Sequence, residues 1–293
     1  MADHLQDSYE LCTQITRSEA KNFYYAFVTL PPHKRSAIYA IYAFARYCDD
    51  ISDSNDTLNP SEQFVNVRKE LTNSLDGNLT ENPIIPALID TINKFEIPNS
   101  YFYELIDGVE MDLTKSRFSN FQELKDYCYK VASIVGLISI NIFGYKGPKA
   151  NQYAIDLGIA MQLTNIMRDL KEDADRDRIY LPQDEMKQFG YKETDMLEGV
   201  MNDNFKRLME FQVRRARSYF NSGIKLLDFL QQDAIGCTSI LHNLYSRILD
   251  RIEDNGYDVF SERVSLTSVE KVTIMTKFFL ISGLNKINLL NRR

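Results

Sequence analysis

Proline stops at Pro182. Eight prolines occupy the first 182 positions and none follows, so the remaining chain holds no residue that must break a helix. Histidine is nearly absent: only His4, His33 and His242 occur. A centre built on several imidazoles is thereby excluded, and carboxylates remain as the hard ligands for a divalent cation. The four cysteines, Cys12, Cys48, Cys128 and Cys237, stand far apart with no CxxC pair. That excludes a zinc ribbon or a disulfide framework. It reads as buried thiols in a reducing compartment, the cytoplasm. Glycine-rich phosphate loops, alternating strand runs, internal repeats and interdomain linkers are also missing.

Basic residues are outnumbered, 34 against 41 acidic, for a net charge of -7. Nucleic acid needs a clustered basic surface, so no nucleic-acid partner is expected. A protein that holds cations, and through them a phosphorylated substrate, remains compatible with that balance. The N-terminal MADHLQDSYELCTQ has acids where a secretory signal has its apolar core. The C-terminal VTIMTKFFLISGLNKINLL comes nearest to a membrane segment, but Lys277, Asn285, Lys286 and Asn288 interrupt it. It reads either as a helix packed on the core or as an amphipathic end in peripheral contact with the inner face of the membrane.

What is present is helical. Hydrophobic residues make up 44% and charged residues 26% of 293 positions, which suits a folded chain with one large core. Pro31-Pro32 precedes a helix start near His33. Asp76-Gly77 ends another helix, and Pro83, Pro86 and Pro98 bracket a short one. FQELKDYCYKVASIVGLISINIFGY reads as an apolar helix whose Ala132, Ser133, Gly136 and Ser139 permit close packing. The expectation is a single all-α domain over residues 1–293, with about eight to twelve helices.

Two stretches carry chemistry. In GIAMQLTNIMRDLKEDADRDRIYLP, from Gly158 to Pro182, Gln162, Asp169 and Asp173 fall within about 40° of one another on a helix, with Asn165 beside them. Ile166, Leu163 and Leu170 adjoin that stripe, so its carboxylates need basic partners or metal ions to offset desolvation. In HKRSAIYAIYAFARYCDDISDS, one face presents Tyr42, Arg46, Asp49 and Asp53, and the other directions are assigned Ile38, Ala40, Ala45 and Tyr47. Two helices with paired carboxylates can clamp several divalent ions, for which Mg²⁺ is best suited because it also bridges to phosphates. Such a cluster makes a diphosphate a leaving group. With no nucleophile motif, ionisation of an allylic diphosphate follows more naturally than hydrolysis. Arg46 and Arg168, with Lys21 and Arg178, are candidates to hold the released anion. Phe23, Tyr24, Tyr25, Tyr42, Tyr127, Tyr129 and Tyr245 are candidates to line an apolar cavity that tolerates a carbocation. Asp107, Glu110 and Asp112 form a third acidic group, equally readable as surface acids.

NFYYAFVTLPPHKRSAIYAIYAFARYCDDISD and QLTNIMRDLKEDADRDRIYLP resemble the two signature regions of the squalene/phytoene synthase family, the head-to-head prenyl synthases. YFYELIDGVEMDL, YCYKVASIVGLISINIFGY and NGYDVFSERVSL are similar to the family's central and C-terminal parts. NFYYAF, LIDGVEMDL, VGLISINIFGY and ERVSL are most similar to its presqualene diphosphate synthase branch, associated with hopanoid pathways. The resemblance implies an isoprenoid-synthase helical bundle around a central cavity. It also implies joining of two farnesyl diphosphates to presqualene diphosphate with release of diphosphate. Two or three Mg²⁺ ions would be held by Asp49, Asp53, Asn165, Asp169 and Asp173. Lys21, Arg46, Gln162, Arg168 and Tyr245 would contact the diphosphates or their chains. Tyr42 and Tyr129 match positions near the reacting carbons, and Arg178 and Tyr180 the end of the second motif. Ala20 and Asn22 stand where many relatives have serines, which puts hydroxyl contacts to a diphosphate there in doubt. No NADPH is expected, on the branch-like motifs and the absence of an extension after Arg293. Partner enzymes of squalene and hopanoid synthesis are expected neighbours. Within the family the alternatives are phytoene, dehydrosqualene and squalene synthesis. From another class comes a non-catalytic assembly factor, whose relatives lose the acidic pairs that are intact here.

Overall fold

A computed structural model describes residues 2–20, 23–53 and 59–277. Lys21, Asn22, the side chain of Asp53, and most of the C-terminal stretch assigned to membrane contact lie outside the described residues. The chain runs through α1 (Ala2–Glu19), α2 (Phe23–Phe27), α3 (Pro32–Asp53), α4 (Pro60–Leu75), α5 (Ile85–Lys94), α6 (Asn99–Glu110) and α7 (Phe121–Cys128). It continues with α8 (Ile134–Phe143), α9 (Lys149–Arg168), α10 (Leu170–Asp175), α11 (Gln183–Phe189), α12 (Glu193–Leu197), α13 (Asp203–Gly223) and α14 (Ile235–Asp254). A further helical run covers 268–277. Among the described residues there is no strand, only isolated bridges of Arg117 with Ile179 and Tyr145 with Leu230. The all-α expectation holds, with more and shorter helices than the apolar pattern alone predicts.

Local chemistry sets the helix ends. The Asn59 side chain accepts from Glu62 N and Pro60 opens α4, which satisfies one terminal donor and removes another. Asn120 and Asn202 cap α7 and α13 in the same way. Gly190, at φ 68°, closes α11 in the left-handed region. Between α7 and α8 the chain does not stop: Tyr129–Ser133 is a π turn in which Ile134 N–H donates to Tyr129 O. The extra residue rotates α8 relative to α7, a feature that apolar periodicity does not register.

The core is continuous across the helices, with Phe44, Phe64, Phe102, Phe118 and Phe205 among its fully buried side chains. Each is worth about 1.5–3 kcal/mol relative to exposure. Helix α9 runs through the middle, with α8 on one side and α13 on another. A Cβ at Gly158 would lie 2.6 Å from Ser133 Cα, and one at Gly223 would lie 2.8 Å from Leu157 Cα. Glycine at these two sites therefore lets three helix backbones approach. The long apolar run Phe121–Phe143 has the length and composition of a bilayer-crossing helix, but half of it is buried inside the protein.

Candidate active site

Helices α3, α8, α9 and α14 enclose a cavity of about 300 Å³. From α3 it is lined by Ile38, Ile41, Tyr42, Ala45, Arg46 and Asp49, and from α9 by Ala154, Leu157, Gly158, Met161, Gln162 and Asn165. Tyr42, Arg46 and Asp49 share a face as their spacing requires. Ile38 and Ala45 share it too, which corrects the expectation that they point elsewhere. Ile38 precedes Tyr42 by four residues, about 40° past a full turn, and Ala45 follows by three, about 60° short of one. From α8 and its π turn come Val131, Ala132, Val135 and Phe143, and from α14 Thr238, Leu241 and Tyr245. Helices α3, α9 and α14 run toward the polar end of the cavity and α8 runs away from it. The charged and amide groups gather at that end, and the rest of the wall is apolar or aromatic apart from the hydroxyls of Ser139 and Thr238.

At the polar end Arg46 is ion-paired with Asp50 at 2.6 Å. Asn165 Nδ2 donates to Gln162 Oε1 at 3.3 Å. Burial pushes the Tyr42 phenol up to about 12, against the pull of the Arg46 charge, and likewise raises Tyr245. Both remain protonated near neutrality and keep a hydroxyl donor. Phe23 joins Tyr42 and Tyr245, with ring centroids 6.1 and 5.8 Å away.

The second acidic pair is arranged differently from an unbroken helix. Helix α9 ends at Arg168, and Asp169, at φ -102° and ψ 17°, is a kink before α10. The hydrogen bonds still run from Asp169 N to Asn165 O and from Asp173 N to Asp169 O, so the stripe bends without being lost. Asp169 accepts from Arg168 Nε at 2.7 Å and from Arg263 Nε at 2.8 Å. Burial alone would raise its pKa; the two guanidiniums outweigh that and hold it below the usual carboxylate range. Asp173 goes the other way: burial, then the charge of Asp169, pushes it up to about 8 against the pull of Arg178.

Other assigned residues are placed away from the cavity wall. Tyr129 lines a shallow groove with Met111, Lys115, Glu123, Asp126 and Lys130. Tyr180 is buried and donates to Asp112 at 2.8 Å, as Tyr127 does at 3.0 Å. Arg178 reaches Ser52 O at 3.5 Å, tying the end of the second motif to α3. Ala20 is buried where α1 ends. Tyr24 stacks on Tyr39, and Tyr25 lies beneath Lys271. Asp107 and Glu110 both pair with Arg68 at 2.6 Å. Missed in the sequence are Asp50 and Glu172 as partners of Arg46 and Arg263, and Arg263 itself, 3.2 Å from Glu172. Its motif, ERVSL, was visible, but no local spacing links position 263 to position 169.

The donor set fits Mg²⁺: Asn165 Oδ1 is buried without a hydrogen-bond partner, and Asp173 is a buried carboxyl beside the charge of Asp169. Among the described residues, no three Asp, Glu, His or Cys side chains converge closely enough to hold a metal alone. Substrate oxygens and water would complete the shell, as Mg²⁺ prefers.

Residues 16–270 match the squalene/phytoene synthase family. The chain is 38% identical over 280 residues to the 15-cis-phytoene synthase of Synechococcus elongatus, covering 92% of this chain and 91% of that one. It is also 38% identical to the phytoene synthase of Arthrospira platensis, over 91% of this chain and 90% of that one. A crystal structure of a dehydrosqualene synthase superposes with a TM-score of 0.88 at 26% identity, covering 97% of this chain and 99% of that one. The squalene synthase HpnC from Alicyclobacillus acidocaldarius gives 0.81 at 28% identity, covering 87% and 96%. This chain therefore belongs to the squalene/phytoene synthase family and is a prenyltransferase of the head-to-head type.

Proposed function

We propose that the chain joins two farnesyl diphosphates to presqualene diphosphate, releasing one diphosphate and one proton. The observation that carries this reading is a cavity that is polar at one end and largely apolar along the rest of its depth. Ile38 to Asp49 on α3 and Ala154 to Asn165 on α9 each span eleven residues, about 16 Å or three helical turns. The apolar part of that wall, Ile38 to Ala45 and Ala154 to Met161, covers seven residues, about 10 Å, with the polar end beyond it; the C15 assignment follows the motifs NFYYAF, LIDGVEMDL and ERVSL.

The first substrate lies with its diphosphate at Arg46, Gln162 and Asn165 and its chain along the wall. Asp49, Asp53, Asn165, Asp169 and Asp173 would hold Mg²⁺, which would supply charge withdrawal from the leaving diphosphate. The C1–O bond of that substrate breaks, and the C2–C3 double bond of the second supplies the electrons for the new carbon–carbon bond. A C1 proton is then lost as the cyclopropane closes. Phe23, Tyr42 and Tyr245 line this end, where aromatic rings would stabilise the cation without trapping it. Arg168 and Arg263, now paired with Asp169, are the bases proposed to take up the released anion when Asp169 turns to the metal.

The motifs NFYYAF, LIDGVEMDL and ERVSL support a reaction that ends at the cyclopropyl diphosphate without NADPH. Buried Ala20 offers no hydroxyl to the second diphosphate, consistent with release before a second ionisation. The named relatives favour a second reading, phytoene formation from two C20 diphosphates. Purified protein with C15 or C20 diphosphate, in Mg²⁺ or in EDTA, tests both. Higher kcat/KM for C15, abolished by EDTA and restored by Mg²⁺, is expected; preference for C20 selects the second reading. Membrane contact through Lys277 and the residues beyond it is tested by vesicle flotation. Binding of the full chain to anionic vesicles is expected, and its absence favours a helix packed on the protein.

A further inference from the structure

Behind the deep end of the cavity a buried charged side chain, which does not itself line the cavity, bonds the backbone of the lining residue Phe143. Lys34, in the first turn of α3, is 4% exposed. Its ammonium donates to Phe143 O at 2.8 Å, to Gln231 Oε1 at 2.8 Å and to Asp233 Oδ1 at 2.7 Å. All three of its protons are therefore used. The three acceptors come from the last residue of α8 and from the link between α13 and α14. Of these residues Phe143 lines the cavity itself, while the lining residues Ile38 and Thr238 follow Lys34 by one helical turn and Asp233 by five residues. Two backbone bonds join the same segments, Gln231 N to Gly144 O and Lys146 N to Phe229 O, both 2.9 Å. The Thr238 hydroxyl adds nothing, being buried without a hydrogen-bond partner.

We infer that Lys34 is a positioning residue for chain-length selection: it latches α3, α8 and the start of α14 together and so fixes the cavity floor. The inference rests on the proposal that the wall takes a three-unit chain. Removing the ammonium leaves the buried Phe143 carbonyl and Gln231 amide without their donor. Asp233 is 41% exposed on its side chain, so water can take over its charge. The floor segments then part toward solvent, and a longer chain is admitted.

The test uses the full chain with Mg²⁺ and unreactive thiolodiphosphates of C15, C20 and C25 chains, with binding read by calorimetry and folding by thermal melting. Lys34→Met is expected to raise the affinity ratio for the next longer chain by about tenfold, as pocket differences of this kind do. Asp233→Asn should shift it the same way by less. An unchanged ratio in both variants overturns the latch, whatever happens to overall affinity. Should Lys34→Met not fold, an unchanged ratio in Asp233→Asn alone overturns it. Wild-type preference for C20 with a shift toward C25 in the variants would reject the three-unit reading while upholding the latch. Absence of binding by all three chains overturns both.

Discussion

Arg46 and Asp50 form a tight pair on α3, while Asp49, one residue earlier, lines the cavity. Neighbouring acids of the same helix are thus divided between holding a base and facing the site. Asp49→Asn should keep the fold and lower kcat by about 10²–10³, the usual cost of removing one group that stabilises developing charge. Steady-state turnover beside a circular-dichroism melt checks this. Asp173 supplies a pH dependence. Its folded pKa of about 8 lies above the ordinary value of 3.8, so its protonated form is favoured by folding in the absence of metal. That contribution is complete below the ordinary value and is lost as pH rises through about 8. In EDTA the melting temperature should fall across that range, and Asp173→Asn should flatten the fall. Mg²⁺ binding near pH 7 should release a proton from this carboxyl, seen by calorimetry in buffers of different ionisation enthalpy.

At the scale of elements, close approach around α9 makes a separate prediction. Gly158→Ala places a methyl 2.6 Å from the Ser133 backbone. Overpacking costs about 1–3 kcal/mol, more than the roughly 1 kcal/mol that alanine gains in helix propensity. Denaturant unfolding should show net loss of stability, with the cavity narrowed between α8 and α9. The same elements show what the sequence could convey. Tyr42, Arg46 and Asp49, and likewise Gln162 and Asn165, were legible because each set lies on one unbroken helix, where spacing translates directly into direction. Asp169 and Asp173 were legible as acids near the site but not in arrangement, because α9 kinks at Asp169 and Arg263 comes from 94 residues away. Tyr129 starts a π turn, and Tyr180 follows a tight turn, so neither direction follows from a 3.6-residue period. The latch at Lys34 joins positions 34, 143, 231 and 233, a tertiary convergence that leaves no local pattern.

The described residues form a helical shell around a cavity three turns deep, polar at one end and, at the other, backed by the Lys34 hydrogen bonds. On the proposed function, the Asp49, Gln162 and Asn165 end would govern ionisation, and the Phe143, Ile38 and Thr238 end would govern which chain fits. A protein built this way needs no reductant to reach a cyclopropyl diphosphate. It needs one only to convert that compound into a saturated head-to-head linkage, by hydride transfer from a cofactor the protein must hold. The most direct measurement is therefore product identity. Purified protein is supplied with farnesyl diphosphate, Mg²⁺ and excess NADPH, while nicotinamide absorbance and product mass are followed together. Accumulation of presqualene diphosphate with unchanged NADPH is the predicted result; squalene with stoichiometric NADPH oxidation, or dehydrosqualene with none, would contradict it.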